Sequence, residues 1–413
     1  MVDSLLAAAE AALRYNVRTL AAACPGGLDR ALVAIGGAGG LDGSAHAAAG
    51  EGLAIEGLTA GQTRLLERWM RSEGGDIVTD PAGRRAVLVG SMATLATVTA
   101  RLADLGPQTE GLAAALAAAL GGGHARPPLR CGDHLLEFGG RTLVMGVVNV
   151  TPDSFSGDGV AGDPGSATAL AERMVADGAD IVDVGGESSR PDSQPVDAAT
   201  ELRRVLPVIE ALAGRLPVPI SIDTRKAEVA SAAIGAGATL VNDIWGLRGD
   251  GDMAPVLAAH PEVALVAMHN RRGHVYDDLG AEVARDLRES LLIATRHSIA
   301  LDRVVIDPGF GFGKTPGQNL ELVQRLTELR GIGRPLLLGP SRKSTIGLLL
   351  DGAPPYERVE GTLVLCVLAS AAGADMVRVH DVAAIRRGLR VSDAVLRGIP
   401  EAVRAAEAPG PTG

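Results

Sequence analysis

From about residue 135 onward, short apolar runs without polar alternation recur between longer amphipathic, Ala/Leu-rich segments. Runs such as LVMGVV, DIVDVGG and RVVIDPG show the pattern of parallel strands covered on both faces. The spacing predicts strands over 142–150, 180–186, 219–224, 239–244, 262–269, 304–309, 335–341 and 376–381. Helical patterns follow them, as at 200–216 and 356–372. Eight strand–helix units in roughly 270 residues imply a closed (β/α)8 TIM barrel rather than an open sheet. A hairpin over 129–138 is expected to plug its base. In the first third, two Gly-rich stretches (36–52 and 121–128) read as loop or linker. Between them, strands over 53–58, 76–79 and 86–90 and helices over 60–72 and 92–105 predict a small α/β accessory domain. The predicted organisation is therefore an accessory domain at 1–128, a barrel at 129–400 and a flexible tail at 401–413.

Polar chemistry gathers where the predicted strands end. Six motifs sit there: 145–159 (MGVVNVTPDSFSGDG), 183–191 (DVGGESSRP), 221–224 (SIDT), 307–314 (DPGFGFGK), 339–344 (GPSRKS) and 378–381 (RVHD). The C-terminal ends of barrel strands are where this architecture builds active sites. A strand-end Asn or Asp can simply cap a turn or the next helix. Asn149 offers a single carboxamide oxygen, which suits a magnesium ion held mainly by a pyrophosphate and water. Asp223, Asn242 and Asp307 share one predicted mouth, a set of amide and carboxylate groups suited to the donor-rich edge of a 2-amino-4-oxo heterocycle. A carboxylate there would also offset positive charge developing on such a ring. Three of the four Phe residues (Phe155, Phe310 and Phe312) lie in these motifs, which suggests aromatic contact with a flat ligand rather than core packing. Arg342 and Lys343 follow strand seven. Arg378 and His380 lie two apart on strand eight and so share a face, in the region where barrels of this kind bind phosphate. Charges inside the apolar run MVRVHD would be costly if unpaired.

Composition narrows the class. With 413 residues, 46% apolar, 21% charged and a net charge of −10, the chain reads as a soluble globular protein with no basic excess for nucleic acid. Its three cysteines are far apart and odd in number, which argues against a disulfide framework and for a reducing cytoplasm. The segment 19–24 (TLAAAC) lies among Asp3, Glu10, Arg14 and Arg18, so no apolar export signal forms. No apolar run approaches the length needed to span a bilayer.

Taken together, the motifs over 129–399 resemble those of the dihydropteroate synthases. The resemblance implies a transferase that condenses 6-hydroxymethyl-7,8-dihydropterin diphosphate with p-aminobenzoate and releases diphosphate. It implies Mg2+ as cofactor, with Asn149 as a metal and diphosphate ligand, and Arg378 and His380 at the diphosphate. Asp223, Asn242, Asp307 and Lys343 correspond to pterin-binding groups, with Ile244, Met268, Phe312 and Gly339 lining the pocket. Asp223, Lys343, Arg378 and His380 carry the catalytic roles. Ser189, Arg190, Pro191, Phe312 and Ser341 match the p-aminobenzoate site, which sulfonamides occupy. By the same resemblance, the loops after strands one and two close to exclude water. The family commonly forms homodimers, and 361–372 is a candidate face. Two departures stand out: Ser189 replaces the usual Thr, and Asp192 replaces a Gly. The N-terminal region resembles an extra segment of some bacterial members. The other readings are a pterin-binding methyltransferase, which would need a cobalamin partner and lack GPSRKS and RVHD together, and a paralogue that binds without turnover.

Overall fold

The computed structural model describes residues 10–21, 27–35, 51–121, 126–151, 163–187, 195–401 and 403. Strands β1 (Arg18–Ala21), β2 (Glu51–Glu56), β3 (Asp76–Thr79) and β4 (Arg85–Gly90) form an antiparallel sheet in the order β1-β2-β4-β3. Both faces of this sheet are covered, which explains the unbroken apolar run of β4. Leu53, Ile55 and Leu88 pack with Leu66, Met70, Leu95, Leu102, Leu112 and Leu116. Ala54, Val87 and Val89 face the other way, towards Leu20, Ala31 and Leu32. Burying each such leucine contributes roughly 1.5–3 kcal/mol. The helix Ala60–Ser72 begins at a capping box between Thr59 and Gln62. Strand β1 and the helix Pro107–Leu120 were not expected from the sequence. The helix is apolar and alanine-rich on most of its surface, so it shows no stripe for periodicity to detect.

Strands β5 (Leu129–Cys131) and β6 (His134–Leu136) form the predicted hairpin. The Gly132 N–H donates to Glu262 O at 2.9 Å, and a Cβ at Gly132 would lie 2.7 Å from the Thr239 methyl. Its turn therefore rests on residues entering the barrel strands, at the base. All eight predicted barrel strands follow: β7 (Leu143–Asn149), β8 (Ile181–Gly185), β9 (Ile220–Asp223), β10 (Leu240–Asp243), β11 (Ala264–Met268), β12 (Val304–Asp307), β13 (Leu337–Leu338) and β14 (Met376–Val379). Their order is β12-β11-β10-β9-β8-β7-β14-β13, and a parallel bridge between Ile306 and Leu336 joins the two ends. Only β13 is much shorter than predicted, because Pro335 and Pro340 flank it and offer no N–H to the ladder.

The chain divides into two compact units. The described residues of 1–124, 243–261 and 266–336 form one, and those of 125–242, 262–265 and 337–413 the other. Within the first unit a buried polar network ties β1 to the barrel helices. Arg18 Nη1 lies 2.7 Å from Glu328 Oε2, and Arg325 bridges Glu328 and Asp278. Among the described residues no helix is long and apolar enough to cross a membrane.

Candidate active site

Parallel pairing sets one row of residues across four strands. Asn149 of β7 stands opposite Gly185 of β8, Gly185 opposite Asp223 of β9, and Asp223 opposite Asn242 of β10. Gly185 provides space in this row: a Cβ there would lie 3.7 Å from Asp223 Oδ2 and 3.8 Å from Asn149 Oδ1. Two residues earlier on β8, Asp183 pairs with Val147 and Ser221, and its side chain is fully buried. Arg378 of β14 binds both carboxylates, with Nε 2.6 Å from Asp183 Oδ2 and Nη2 2.6 Å from Asp223 Oδ2. Asn242 Nδ2 donates to the same Asp183 oxygen at 3.1 Å.

This arrangement sets the charge state of Asp223. Burial pushes its carboxyl up to about 7; Arg378 opposes the rise, Asp183 and Glu201 add to it, and Lys343 opposes it. The side chain keeps some exposure, which tempers the shift without reversing it. A carboxyl poised near neutrality beside a guanidinium can accept hydrogen bonds from a ligand and respond to charge developing on it.

A second chain of contacts joins three predicted residues. His380 Nδ1 lies 2.9 Å from Ser341 Oγ, and its Nε2 lies 3.3 Å from Asn149 Nδ2. The His380 backbone N–H also donates to Ser341 Oγ, at 3.1 Å. If Asn149 donates to Nε2, the ring proton sits on Nδ1 and goes to Ser341. The carboxamide oxygen of Asn149 is then left on the Gly185–Asp223 side. Arg342, read from the sequence as a phosphate contact, is instead engaged with Asp381, its Nε 2.9 Å from Oδ2 and its Nη2 2.5 Å from Oδ1. Its positive φ of 57° marks the sharp turn that leaves half-buried Gly339 and Lys343 on either side.

In the other unit, Met268 and Asp307 end β11 and β12 and are buried. Asp307 Oδ1 accepts the Gly309 N–H at 2.7 Å. Ile244 and Phe312 are half-buried on the turns that follow β10 and β12. Asp243 shapes the first of these turns by accepting the Trp245 and Leu247 N–H groups at 2.8 and 2.6 Å. Phe310 corrects the sequence reading: it is 1% exposed and belongs to the core. Clustering of Phe residues in the motifs was therefore a false sign for Phe310, while Phe312 keeps partial exposure on its turn.

Ser189, Arg190, Pro191 and Asp192 lie outside the described residues, as do Phe155 and most of the first loop. Among the described residues no three His, Cys, Asp or Glu side chains are grouped to hold a metal. A cation held by the described side chains alone does not fit this donor set. A magnesium ion carried mainly by a diphosphate and taking one oxygen from Asn149 does fit it. Sequence reasoning missed Asp183, although it is a charge inside a continuous apolar strand, the same signal that singled out Arg378. A cavity of about 290 Å3 lies elsewhere, lined by Arg18, Glu56, Asp278 and Arg285. These charges are engaged in ion pairs.

Several known proteins are similar to this chain. A family profile described as pterin binding enzyme matches residues 145–380. The dihydropteroate synthase of Bacillus subtilis is 46% identical over 261 residues, covering 63% of this chain and 91% of the relative. That of Escherichia coli is 42% identical over 258 residues, covering 61% and 91%. A Clostridium difficile dihydropteroate synthase structure, determined in the presence of pteroic acid, superimposes with a TM-score of 0.60 at 46% identity, covering 63% of this chain and 98% of that one. A Xanthomonas albilineans dihydropteroate synthase with 4-aminobenzoic acid gives a TM-score of 0.61 at 40% identity, covering 69% and 100%. The chain belongs to the pterin-binding enzyme family, among its dihydropteroate synthases.

Proposed function

We propose that the barrel condenses 6-hydroxymethyl-7,8-dihydropterin diphosphate with p-aminobenzoate, giving 7,8-dihydropteroate and diphosphate. The observation that carries this reading is the register row of Asn149, Asp223 and Asn242 with Arg378 laid across it. In this reading Asp223, Asn242, Asp307 and Lys343 hold the pterin edge, and Ile244, Met268, Phe312 and Gly339 form its walls. Arg378, His380 and Asn149 receive the diphosphate. Ser341 and Phe312, with Ser189, Arg190 and Pro191, meet the arylamine.

The C–O bond to diphosphate breaks with its electron pair leaving on the phosphate oxygen, and Arg378 offsets that charge while His380 contacts the same group. Asp223 offsets the positive character left on the pterin methylene. The p-aminobenzoate nitrogen then forms the C–N bond and releases a proton to the departing diphosphate or to solvent, so no protein nucleophile is required. Mg2+, held by the diphosphate and Asn149, would supply further charge neutralisation at the leaving group. A cytoplasmic location is part of the proposal, and among the described residues Cys131 and Cys366 are free thiols. A homodimer through the helices Val359–Ala371 and Val382–Arg397 is part of the proposal. Val364 and Leu368 on the first, and Val391 and Val395 on the second, are 57%, 50%, 68% and 79% exposed.

The test is diphosphate release by the purified protein with Mg2+ and the dihydropterin diphosphate, with and without p-aminobenzoate. Aminobenzoate-dependent release with a dihydropteroate product is expected. Pterin binding without that release would replace the synthase reading with a non-catalytic pterin binder.

A further inference from the structure

The motif DPGFGFGK ends in a lysine that the reaction above does not use. Lys314 is buried, and its Nζ lies 2.9 Å from His269 Nδ1, 3.0 Å from Gly309 O and 3.1 Å from Phe312 O. His269 directly follows β11 and is fully buried. Its backbone N–H donates to Asp307 O at 2.8 Å. Its Nε2 stands 3.2 Å from Asp286 Oδ2, within ion-pair reach though off the hydrogen-bond line. Asp286, on the helix Leu279–Arg296, is held in turn by Arg271 and Arg248 at 3.1 and 3.2 Å.

The turn itself is pressed against the end of β11. A Cβ at Gly309 (φ 70°) would fall 2.0 Å from His269 O, and one at Gly313 (φ 54°) would fall 2.4 Å from Arg271 O. Only glycine allows so close an approach at positive φ. Tyr276 Oη donates to Gly313 O at 2.9 Å and the Gly311 N–H donates to Asn319 Oδ1 at 2.7 Å. Through His269, the residue that follows β11, Lys314 adds the tie from the turn to that strand. Its ammonium has three N–H donors, and three acceptors surround it: two carbonyls and a ring nitrogen. Burial pushes Lys314 down to about 7, with Asp307 and Asp286 opposing and Arg271 and Arg248 assisting. Burial likewise brings His269 down to about 4, so its ring is neutral at ordinary pH. A neutral ring that accepts on Nδ1 carries its proton on Nε2, facing Asp286.

We propose that Lys314, oriented by the His269–Asp286 pair, is a positioning residue that clamps the turn 309–313 onto the end of β11 and thereby fixes Phe312 and Met268 as walls of the pterin pocket. The proposal rests on the reading that these two residues meet a pterin. It is one of geometry: Lys314 does not touch the reacting atoms.

Two measurements on the full chain test it. In the wild-type protein at pH 6, 15N NMR of the histidine side chains should show His269 neutral with its proton on Nε2. An imidazolium or an Nδ1–H tautomer would overturn the arrangement. Lys314→Met keeps the stem and removes the donors. It should raise KM for the dihydropterin diphosphate about tenfold or more, as loss of an orienting partner does, while KM for p-aminobenzoate and kcat stay within about threefold. Asp286→Asn, at the solvent side of the relay, should move the same KM in the same direction by less, and it serves if Lys314→Met does not fold. A pterin KM within twofold of wild type in the variants that fold sinks the proposal. Direct binding of 6-hydroxymethylpterin to the same variants separates this outcome from failure of the synthase reading, because it requires no turnover.

Discussion

Arg378 Nη2 and Asp223 Oδ2 stand 2.6 Å apart, while the same guanidinium holds Asp183 through Nε. One cation thus serves two carboxylates at the centre of the site. Arg378→Met leaves both without it, so the Asp223 carboxyl rises further and the leaving group loses a donor. We expect kcat/KM for the dihydropterin diphosphate to fall by about 10²–10³, the scale of one lost transition-state donor. Arg378→Lys should recover part of the loss. Steady-state kinetics against pH would show the acid limb of Arg378→Met at higher pH than that of wild type. An unmoved limb would separate Arg378 from Asp223.

The wild-type profile follows from the same carboxyl. Asp223 offers both oxygens as acceptors, and its negative charge, only when ionised, and its carboxyl is raised to about 7. Activity should therefore rise with pH through about 7 and level off above it. Glu201 is buried and adds to the rise, yet it faces Lys226 and not the row of ligand-facing groups. Glu201→Gln should move the limb to lower pH with the plateau largely preserved, the opposite of Arg378→Met. A limb that stays in place would assign it to another group.

Much of this site could be read in the chain before the structure. Strand ends carry the chemistry of a barrel, so Asn149, Asp223, Asn242 and Arg378 announced themselves as polar residues closing apolar runs. Asp183 did not, because it lies one layer deeper and its motif drew attention to the loop beyond it. The rule that flagged Arg378 inside MVRVHD applies equally to the second Asp of DIVDVGG. Lys314 and His269 were invisible for a different reason. Their roles depend on a turn folded flush against a neighbouring strand, and no spacing in the sequence encodes that approach. The alanine-rich helix Pro107–Leu120 could not be phased, since small apolar residues surround it.

Ser341 separates two roles. By family resemblance it belongs to the p-aminobenzoate site, yet its hydroxyl supports the His380 ring and backbone at 2.9 and 3.1 Å. If the histidine contact dominates, Ser341→Ala frees the imidazole to rotate. The expected result is a loss of roughly tenfold or more in kcat/KM for the diphosphate substrate. A change confined to KM for p-aminobenzoate would show that the hydroxyl serves the arylamine instead.

The N-terminal region is joined to the barrel by polar groups that water does not reach. Asn16 Nδ2 donates to Ala281 O at 2.9 Å, and its Oδ1 accepts from Arg288 Nη1 at 2.6 Å. Burial lowers the Arg288 guanidinium to about 9, and Asn16 supplies a side-chain acceptor beside the Ala284 and Val17 carbonyls. Asn16→Ala should cost about 2–3 kcal/mol, the penalty for leaving a buried charged donor short of a partner. Adding Arg288→Met removes that charge and should restore part of the loss. Denaturant unfolding of the two single variants and the double variant gives the coupling. Strict additivity would show that the pair does not act as a unit.

The exposed apolar face on the last two long helices carries the final prediction. Val364 and Leu368 are four residues apart on the helix Val359–Ala371, and Val391 and Val395 on the helix Val382–Arg397. Each pair therefore projects from one side of its helix. Apolar residues grouped in this way on a soluble protein mark an association surface more often than chance exposure does. If a second copy covers them, Leu368→Glu and Val395→Glu place charges where the partner packs and should shift the protein from dimer to monomer. Neither substitution touches the barrel interior, so the far-ultraviolet circular dichroism should be unchanged. Analytical ultracentrifugation decides the matter: a wild-type protein that sediments as a monomer at micromolar concentration, or a charged variant that remains dimeric, rules this face out as the interface.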